Sequence, residues 1–234
     1  MERSVERSVA REYLEALIIA AIFLRFTNTW VLQTFFIPSG SMEETLLIGD
    51  HLFVNRFIYG PAATGIERSL LPLCEPQRGD IVIFRSPETP TLDLVKRCIA
   101  RPGDTIREVD KHIFINGKAV DDSLYAIHRD PNAYSELSPN EQGRRRDNFA
   151  SREIPAGHYF CMGDNRDMSY DSRFWGTLPG HLVKGRALFI YWSNGGETSD
   201  GQWRGAGDQI RQLAKTALGF FSNTRWQRTF RLIR

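Results

Sequence analysis

The chain has 234 residues, with 30 Lys and Arg against 28 Asp and Glu, a formal charge of +2 at pH 7. Charges this evenly matched exclude a dedicated nucleic-acid binder and an acidic disordered tail. Nineteen Gly and eleven Pro are ordinary usage and 41% hydrophobic residues suffice for a sizeable core, while a mean hydropathy of −0.35 excludes a polytopic membrane protein but leaves room for one anchor.

In chain order the first feature is hydrophobic. Between residues 13 and 36 the only charges are Glu15 and Arg25, and the uninterrupted apolar core is 16–24. A spanning helix wants about 20 apolar residues, so this core fits either a membrane span or a buried helix. Arg3, Arg7 and Arg11 before it and Trp30 near its far end favour a transmembrane anchor over 12–32 with a cytoplasmic segment 1–11. No A-x-A site follows the apolar run, which argues against a cleaved leader.

Beyond the anchor come short β-like runs at 51–57, 80–84, 92–100, 113–115, 158–162 and 182–191. They are punctuated by Gly49-Asp50, Arg78-Gly79-Asp80, Pro102-Gly103-Asp104, Asn116-Gly117 and Gly163-Asp164-Asn165, so 33–234 reads as a mainly β domain. The polar stretch 121–152, with Asp130-Pro131-Asn132 and Arg144-Arg145-Arg146, reads as a surface insertion. Over 208–221, Ile210, Leu213, Ala214, Ala217, Leu218 and Phe221 recur at helical spacing opposite Arg211 and Lys215. From Arg204 onward seven basic residues face one acid, Asp208. That helix suits a membrane surface or a packing site on its own domain.

Cys74, Cys98 and Cys161 are an odd number without metal-ligand spacing, although one pair could still bridge, and the five histidines are scattered. Phosphate-loop, dinucleotide and GxSxG signatures are missing. The expectation is chemistry without metal or cofactor.

Three constellations could carry that chemistry. In Pro38-Ser39-Gly40-Ser41-Met42 one serine can act as nucleophile while a neighbouring hydroxyl and a backbone N–H stabilise an oxyanion. Ser41-x-x-Glu44 also fits a capping box. In Asp93-Leu94-Val95-Lys96-Arg97-Cys98, strand alternation puts Lys96 on one face with Leu92, Leu94, Cys98 and Ala100, and Arg97 on the other with Asp93. A lysine on an apolar face either snorkels or, when desolvated, becomes a base near neutral pH. A serine with a neutral lysine performs acyl transfer without histidine. The third block, Gly163 through Gly176, is either a long hydrogen-bonded turn or a brace in which Asp164 and Asp171 pair with arginines and Ser169 orients the lysine. It lacks the Gly and the terminal Glu of a calcium loop.

In this order, after a hydrophobic segment, these blocks resemble bacterial type I signal peptidases. The match includes Ser39-Gly40-Ser41-Met42, Arg78-Gly79-Asp80-Ile81-Val82, Lys96-Arg97, Arg101-Pro102-Gly103-Asp104 and Gly163-Asp164-Asn165-Arg166-Asp167. The resemblance implies an antiparallel β-sheet catalytic domain on the outer face of the cytoplasmic membrane, acting on signal-peptide-bearing preproteins and touching membrane lipid, with no nucleic-acid partner and no cofactor. By position it implies Ser41 as nucleophile, Lys96 as general base, and Ser39 with the Ser41 N–H as oxyanion hole. Ser169 would orient Lys96, and the pairs Asp164 with Arg97 and Asp171 with Arg173 would support the site. Ile37, Pro38, Met42, Leu46, Leu94 and Val95 match positions that line pockets for the small residues of an A-x-A site. Two departures stand out. Glu44 replaces the family's usual proline, and 193–223 reads as an insertion.

Overall fold

Alternating and fully apolar runs of four to eleven residues, each ended by a turn, cannot bury themselves singly and must pair edge to edge. Gly79 and Gly103 show how the turns are made: both take positive φ, +91° and +81°, which a Cβ disfavours, and each releases the chain into a strand two residues on. The computed structural model describes residues 9–26, 32–56, 58–59, 74–135, 137–196 and 219–233. In chain order the elements are α1 (Val9–Phe26), β1 (Leu32–Phe36), a 3-10 turn (Gly40–Met42), β2 (Asp50–Asn55), β3 (Ile81–Arg85), β4 (Asp93–Ala100), β5 (Thr105–Val109), β6 (His112–Ile115) and β7 (Lys118–Ala119). There follow α2 (Glu141–Asp147), β8 (Phe149–Glu153), β9 (His158–Met162), α3 (Ser172–Trp175), β10 (Leu178–Pro179), β11 (Val183–Ser193), α4 (Phe220–Asn223) and β12 (Arg231–Leu232).

The strands form an eight-stranded sheet, β1-β2-β11-β3-β4-β9-β10 with β12 on β11, and a four-stranded sheet, β7-β6-β5-β8. Every pairing among the named strands is antiparallel. The fold is therefore the antiparallel β domain with an N-terminal helix that the sequence implied. Three apolar clusters hold it. Ile37, Met42, Leu46, Leu52, Ile83 and Val95 fill one face of the large sheet. Val82, Phe84, Cys98, Tyr159 and Cys161 fill the other, and Ile99, Ile106, Ile113, Phe149 and Phe160 join the small sheet to β4 and β9. β3 is buried on both faces up to Phe84, as its unbroken apolar run requires.

Two expectations are met only in part. The stretch 121–152 is surface over 121–142, where no described residue is buried, but its end enters the domain: β8 pairs with β5, Phe149 enters the core, and Asp147 and Asn148 are buried. Its polarity is internal, because Asp147 accepts from Arg146 and Tyr134 N, and Asn148 from Asp110 N. The expected membrane-crossing anchor over 12–32 is the 18-residue helix α1, and no helix among the described residues is long and apolar enough to cross a membrane. At about 1.5 Å per residue α1 is roughly 27 Å long, and Arg11, Glu12, Glu15 and Arg25 interrupt it. Its apolar side chains, Leu14, Leu17, Ile18, Ile19, Ile22, Phe23 and Leu24, are all exposed. The helix expected over 208–221 lies, except for its last residues, outside the described residues.

Candidate active site

β1 delivers the chain into Ile37-Pro38 and then into the 3-10 turn that contains Ser41. Met42 and Leu46 are sunk in the core, with Leu46 N–H donating to Met42 O at 2.7 Å, so the chain after Ser41 folds back toward β2. This excludes the capping-box reading, because no α-helix follows Ser41. The Glu43–Glu44 peptide bond is cis. Ser39 has extended backbone, makes no side-chain cap bond and is exposed.

The return loop 43–50 is gripped from behind. Arg228 donates to Thr45 O at 2.9 Å and to Asp50 Oδ2 at 2.6 Å, and Arg225 to Ile48 O at 3.1 Å. Asp50 is fully buried and also accepts from Ser193 Oγ and Leu47 N.

Strand alternation in β4 runs as the sequence indicated from Leu94 to Cys98: Lys96 lies opposite Val82 of β3, on the face of Leu94, Cys98 and Cys161. A bulge after Cys98 then shifts the pattern, and Ala100 joins Ile99 in the cluster beneath the small sheet. Lys96 is 3% exposed, and its Nζ meets Ser41 Oγ at 2.6 Å. Burial is the main cause that pushes its pKa down to about 8; Asp171 and Asp164 pull it up and Arg173 pushes it further down. At pH 7 about a tenth of a lysine with that pKa is the free amine, against under about a thousandth for an ordinary lysine, and the free amine can take a proton from the hydroxyl beside it.

On the opposite face of β4, Arg97 forms a two-pronged pair with Asp164, Nε to Oδ1 at 2.8 Å and Nη2 to Oδ2 at 2.7 Å. Both side chains are buried. Tyr125 covers the guanidinium at 4.2 Å, Gly79 O accepts from Nη1, and Thr45 Oγ1 adds a 2.6 Å bond to Asp164. Asp171 pairs likewise with Arg173 at 2.9 Å through both oxygens and accepts from Gly163 N. Burial alone would raise the Asp171 pKa, but the Arg173 guanidinium and these hydrogen bonds outweigh it and hold the carboxyl below its usual range.

Ser169 is buried beside these groups. Its hydroxyl makes no hydrogen bond of normal geometry and lies near enough to Asp171 to help lower that carboxyl's pKa. The structure thus brings Ser169 to the site without a direct bond to Lys96.

Ile37, Pro38, Met42, Leu94 and Val95 surround one pocket of about 160 Å³, together with Ser39, Ser41 and Lys96. Leu46 does not line it: it is fully buried in the core, where the turn needs an apolar anchor. A wider groove of about 700 Å³ continues past Ser41 toward Glu43, Glu88, Arg129 and Tyr170. Among the described residues no group of His, Cys, Asp and Glu is placed to hold a metal ion.

Sequence reasoning missed two residues that fix the turn. Asn165 donates to Gly40 O at 3.1 Å through its side chain and to Ser41 O at 3.2 Å through its backbone. Gly163 lets the two walls touch, since a Cβ there would stand 2.3 Å from Ser169 Oγ and 2.5 Å from Ser41 O. Both sit inside Gly163-Asp164-Asn165, which reads from sequence as turn punctuation; the clue was a glycine next to a residue expected in a site.

The family model described as "Signal peptidase, peptidase S26" matches residues 10–192. The chain is 34% identical over 205 residues to the signal peptidase I of Pseudomonas fluorescens, covering 78% of this chain and 72% of that one. It is 31% identical over 218 residues to that of Pseudomonas aeruginosa, covering 82% and 76%. With that of Aquifex aeolicus it shares 32% over 222 residues, covering 76% and 81%. A crystal structure of a signal peptidase I from Enterococcus faecalis is 31% identical with a TM-score of 0.38, covering 48% of this chain and 97% of that one.

Proposed function

The chain belongs to the S26 signal peptidases as a bacterial type I signal peptidase, and we propose that it cuts exported preproteins after a small-x-small site with Ser41 as nucleophile and Lys96 as general base. The observation that carries the roles is the 2.6 Å contact between Ser41 Oγ and the buried Lys96 amine. Burial supports the basicity, because a desolvated ammonium is unfavourable and the neutral amine has a lone pair to offer. In acylation the Ser41 Oγ attacks the scissile carbonyl carbon as its proton passes to Lys96 Nζ. The resulting oxyanion accepts hydrogen bonds from the Ser39 hydroxyl and the Ser41 N–H. When the intermediate collapses, the carbon–nitrogen bond breaks and Lys96 hands the proton to the departing amine, the new N-terminus of the mature protein. Water, deprotonated by the same lysine, then attacks the ester and releases the signal peptide with a free carboxylate, and Ser41 recovers its proton.

The pocket of about 160 Å³ between residues 37–42 and 92–96 adjoins Ser41 and Lys96 and is lined mostly by apolar side chains, which supports its use for apolar side chains at the cleavage site. Ser169, Asp164 with Arg97, and Asp171 with Arg173 hold the base and the turn in place. We read 33–234 as the peptidase domain and α1 as its membrane attachment, with the catalytic face outside the cytoplasmic membrane. The exposed apolar side chains of α1 support lipid contact. Attachment would also concentrate an enzyme on substrates whose signal segments lie in the same bilayer.

The test is cleavage of a model precursor with a small-x-small site in detergent-lipid micelles by wild type, Ser41→Ala and Lys96→Ala. Cleavage at that site by wild type alone is expected. Equal cleavage by all three would remove both residues from the mechanism. Membrane attachment is checked by vesicle flotation, which the chain lacking residues 1–26 is expected to lose.

A further inference from the structure

Cys98 of β4 and Cys161 of β9 are register partners. Both are fully buried in the same apolar cluster, and both are free thiols in the structure. The backbone decides how close they come. Cys98 N donates to Asp80 O, and Cys98 O accepts from Gly79 N, both at 2.8 Å, so the polar backbone groups of Cys98 point toward the β3 side. Cys161 N is likewise turned away from β4, donating to Ser172 Oγ at 2.9 Å. The two cysteines therefore form a non-hydrogen-bonded antiparallel pair, in which α-carbons lie about 4.5 Å apart and side chains approach most closely. That separation falls within the range of about 4.4–6.8 Å that a disulfide bridges.

We propose that Cys98 and Cys161 close into a cross-strand disulfide that staples β4 to β9 two residues from Lys96. Closure breaks two S–H bonds and forms one S–S bond. The two electrons and two protons pass to a disulfide-bearing oxidant, whose own S–S bond becomes two thiols. The oxidant acts on the folding chain, since in the native fold both sulfurs are out of reach and burial holds the Cys161 thiol well above its usual pKa, as the inert thiol. An extracytoplasmic location, which rests on the proposed function, would supply such oxidants; the geometry of the pair does not depend on it. The staple ties the strand bearing Lys96 to the strand that leads into Gly163, Asp164 and Ser169. Cys74, exposed and outside the buried cluster that holds the pair, takes no part.

The test uses the full chain in detergent, refolded from denaturant in oxidised and reduced glutathione, then unfolded again without reductant and treated with a maleimide. Cys74 alone is expected to react, the other two thiols appearing after reduction, and a digest should contain a peptide pair joining Cys98 to Cys161. Cys98→Ala and Cys161→Ala should each show two reactive thiols. The oxidised wild type should melt several degrees above its reduced form, a gap that both variants abolish. Three reactive thiols in the unreduced wild type, or a linkage that includes Cys74, would overturn the staple. Because the readout is thiol chemistry, a chain that cuts precursor yet keeps three thiols removes the staple and leaves the proposed function standing.

Discussion

On the proposed roles, a single buried amine sets the pH behaviour of this chain. Because burial lowers the Lys96 pKa to about 8, the protonated, inactive form gains as pH falls. kcat/KM should drop about tenfold per unit below that value and level off above it, which a pH profile of precursor cleavage checks. Lys96→Arg should be nearly inactive across the range, because a guanidinium stays protonated; turnover above background would remove Lys96 from the base role. Ser39→Ala should lose about 10- to 1000-fold in kcat if its hydroxyl serves the oxyanion, and an unchanged rate would leave the Ser41 N–H as the donor. At this scale the sequence was informative where a face decides the chemistry: the apolar neighbours of Lys96 followed from alternation alone. It was silent where depth decides. Leu46 resembled a pocket residue and is instead the core anchor of the turn, and nothing in one sequence separates those two uses of a leucine.

Elements hold these residues through contacts that are long in sequence and short in space. The block 163–176 was legible as a brace, and its carboxylates grip Arg97 and Arg173, whereas the closeness of Gly163 to Ser41 required three dimensions. Gly163→Ala would push a methyl into Ser169 Oγ and Ser41 O, and a displacement of that kind typically costs about 100-fold in rate. Precursor cleavage beside a thermal melt separates this from unfolding. β5 carries a different tension. Glu108 is buried, neither carboxylate oxygen has a hydrogen-bond partner among the described residues, and burial pushes its pKa up to about 7 against the pull of Arg173 and Arg166. A folded pKa above the unfolded one means the folded chain binds more protons, so this group's contribution to stability falls as pH rises from about 4.5 to 7 and is flat above. Glu108→Gln should abolish that fall, gaining about 3 kcal/mol relative to wild type between those limits, measurable by denaturant unfolding at both ends. The bland alternation of β5 gave no warning of it, because the charged groups that act on Glu108, Arg173, Arg166, Asp171 and Asp147, come from much later in the chain.

For the molecule as a whole, the mainly β character and the position of the N-terminal helix were plain from composition and turn spacing. The internal use of residues 147–149 was not, since polar residues that satisfy one another look like polar residues facing water. The sequence also gave no sign that residues 225–231 close the site, because their partners lie about 180 positions earlier. Arg228→Ala would strip the fully buried Asp50 of its nearer guanidinium partner, leaving Arg225 at 3.9 Å, and should destabilise the domain by about 2–3 kcal/mol, read by chemical unfolding; a loss under about 0.5 kcal/mol would mean that Arg225, Ser193 and Leu47 suffice. This latch also imposes an order in time. The turn bearing Ser41 is synthesised early, yet the arginines that grip the loop behind it follow about 180 residues later. A nascent chain therefore holds that turn without its clasp, and the loop behind Ser41 can be locked only after residues 225–228 have been made.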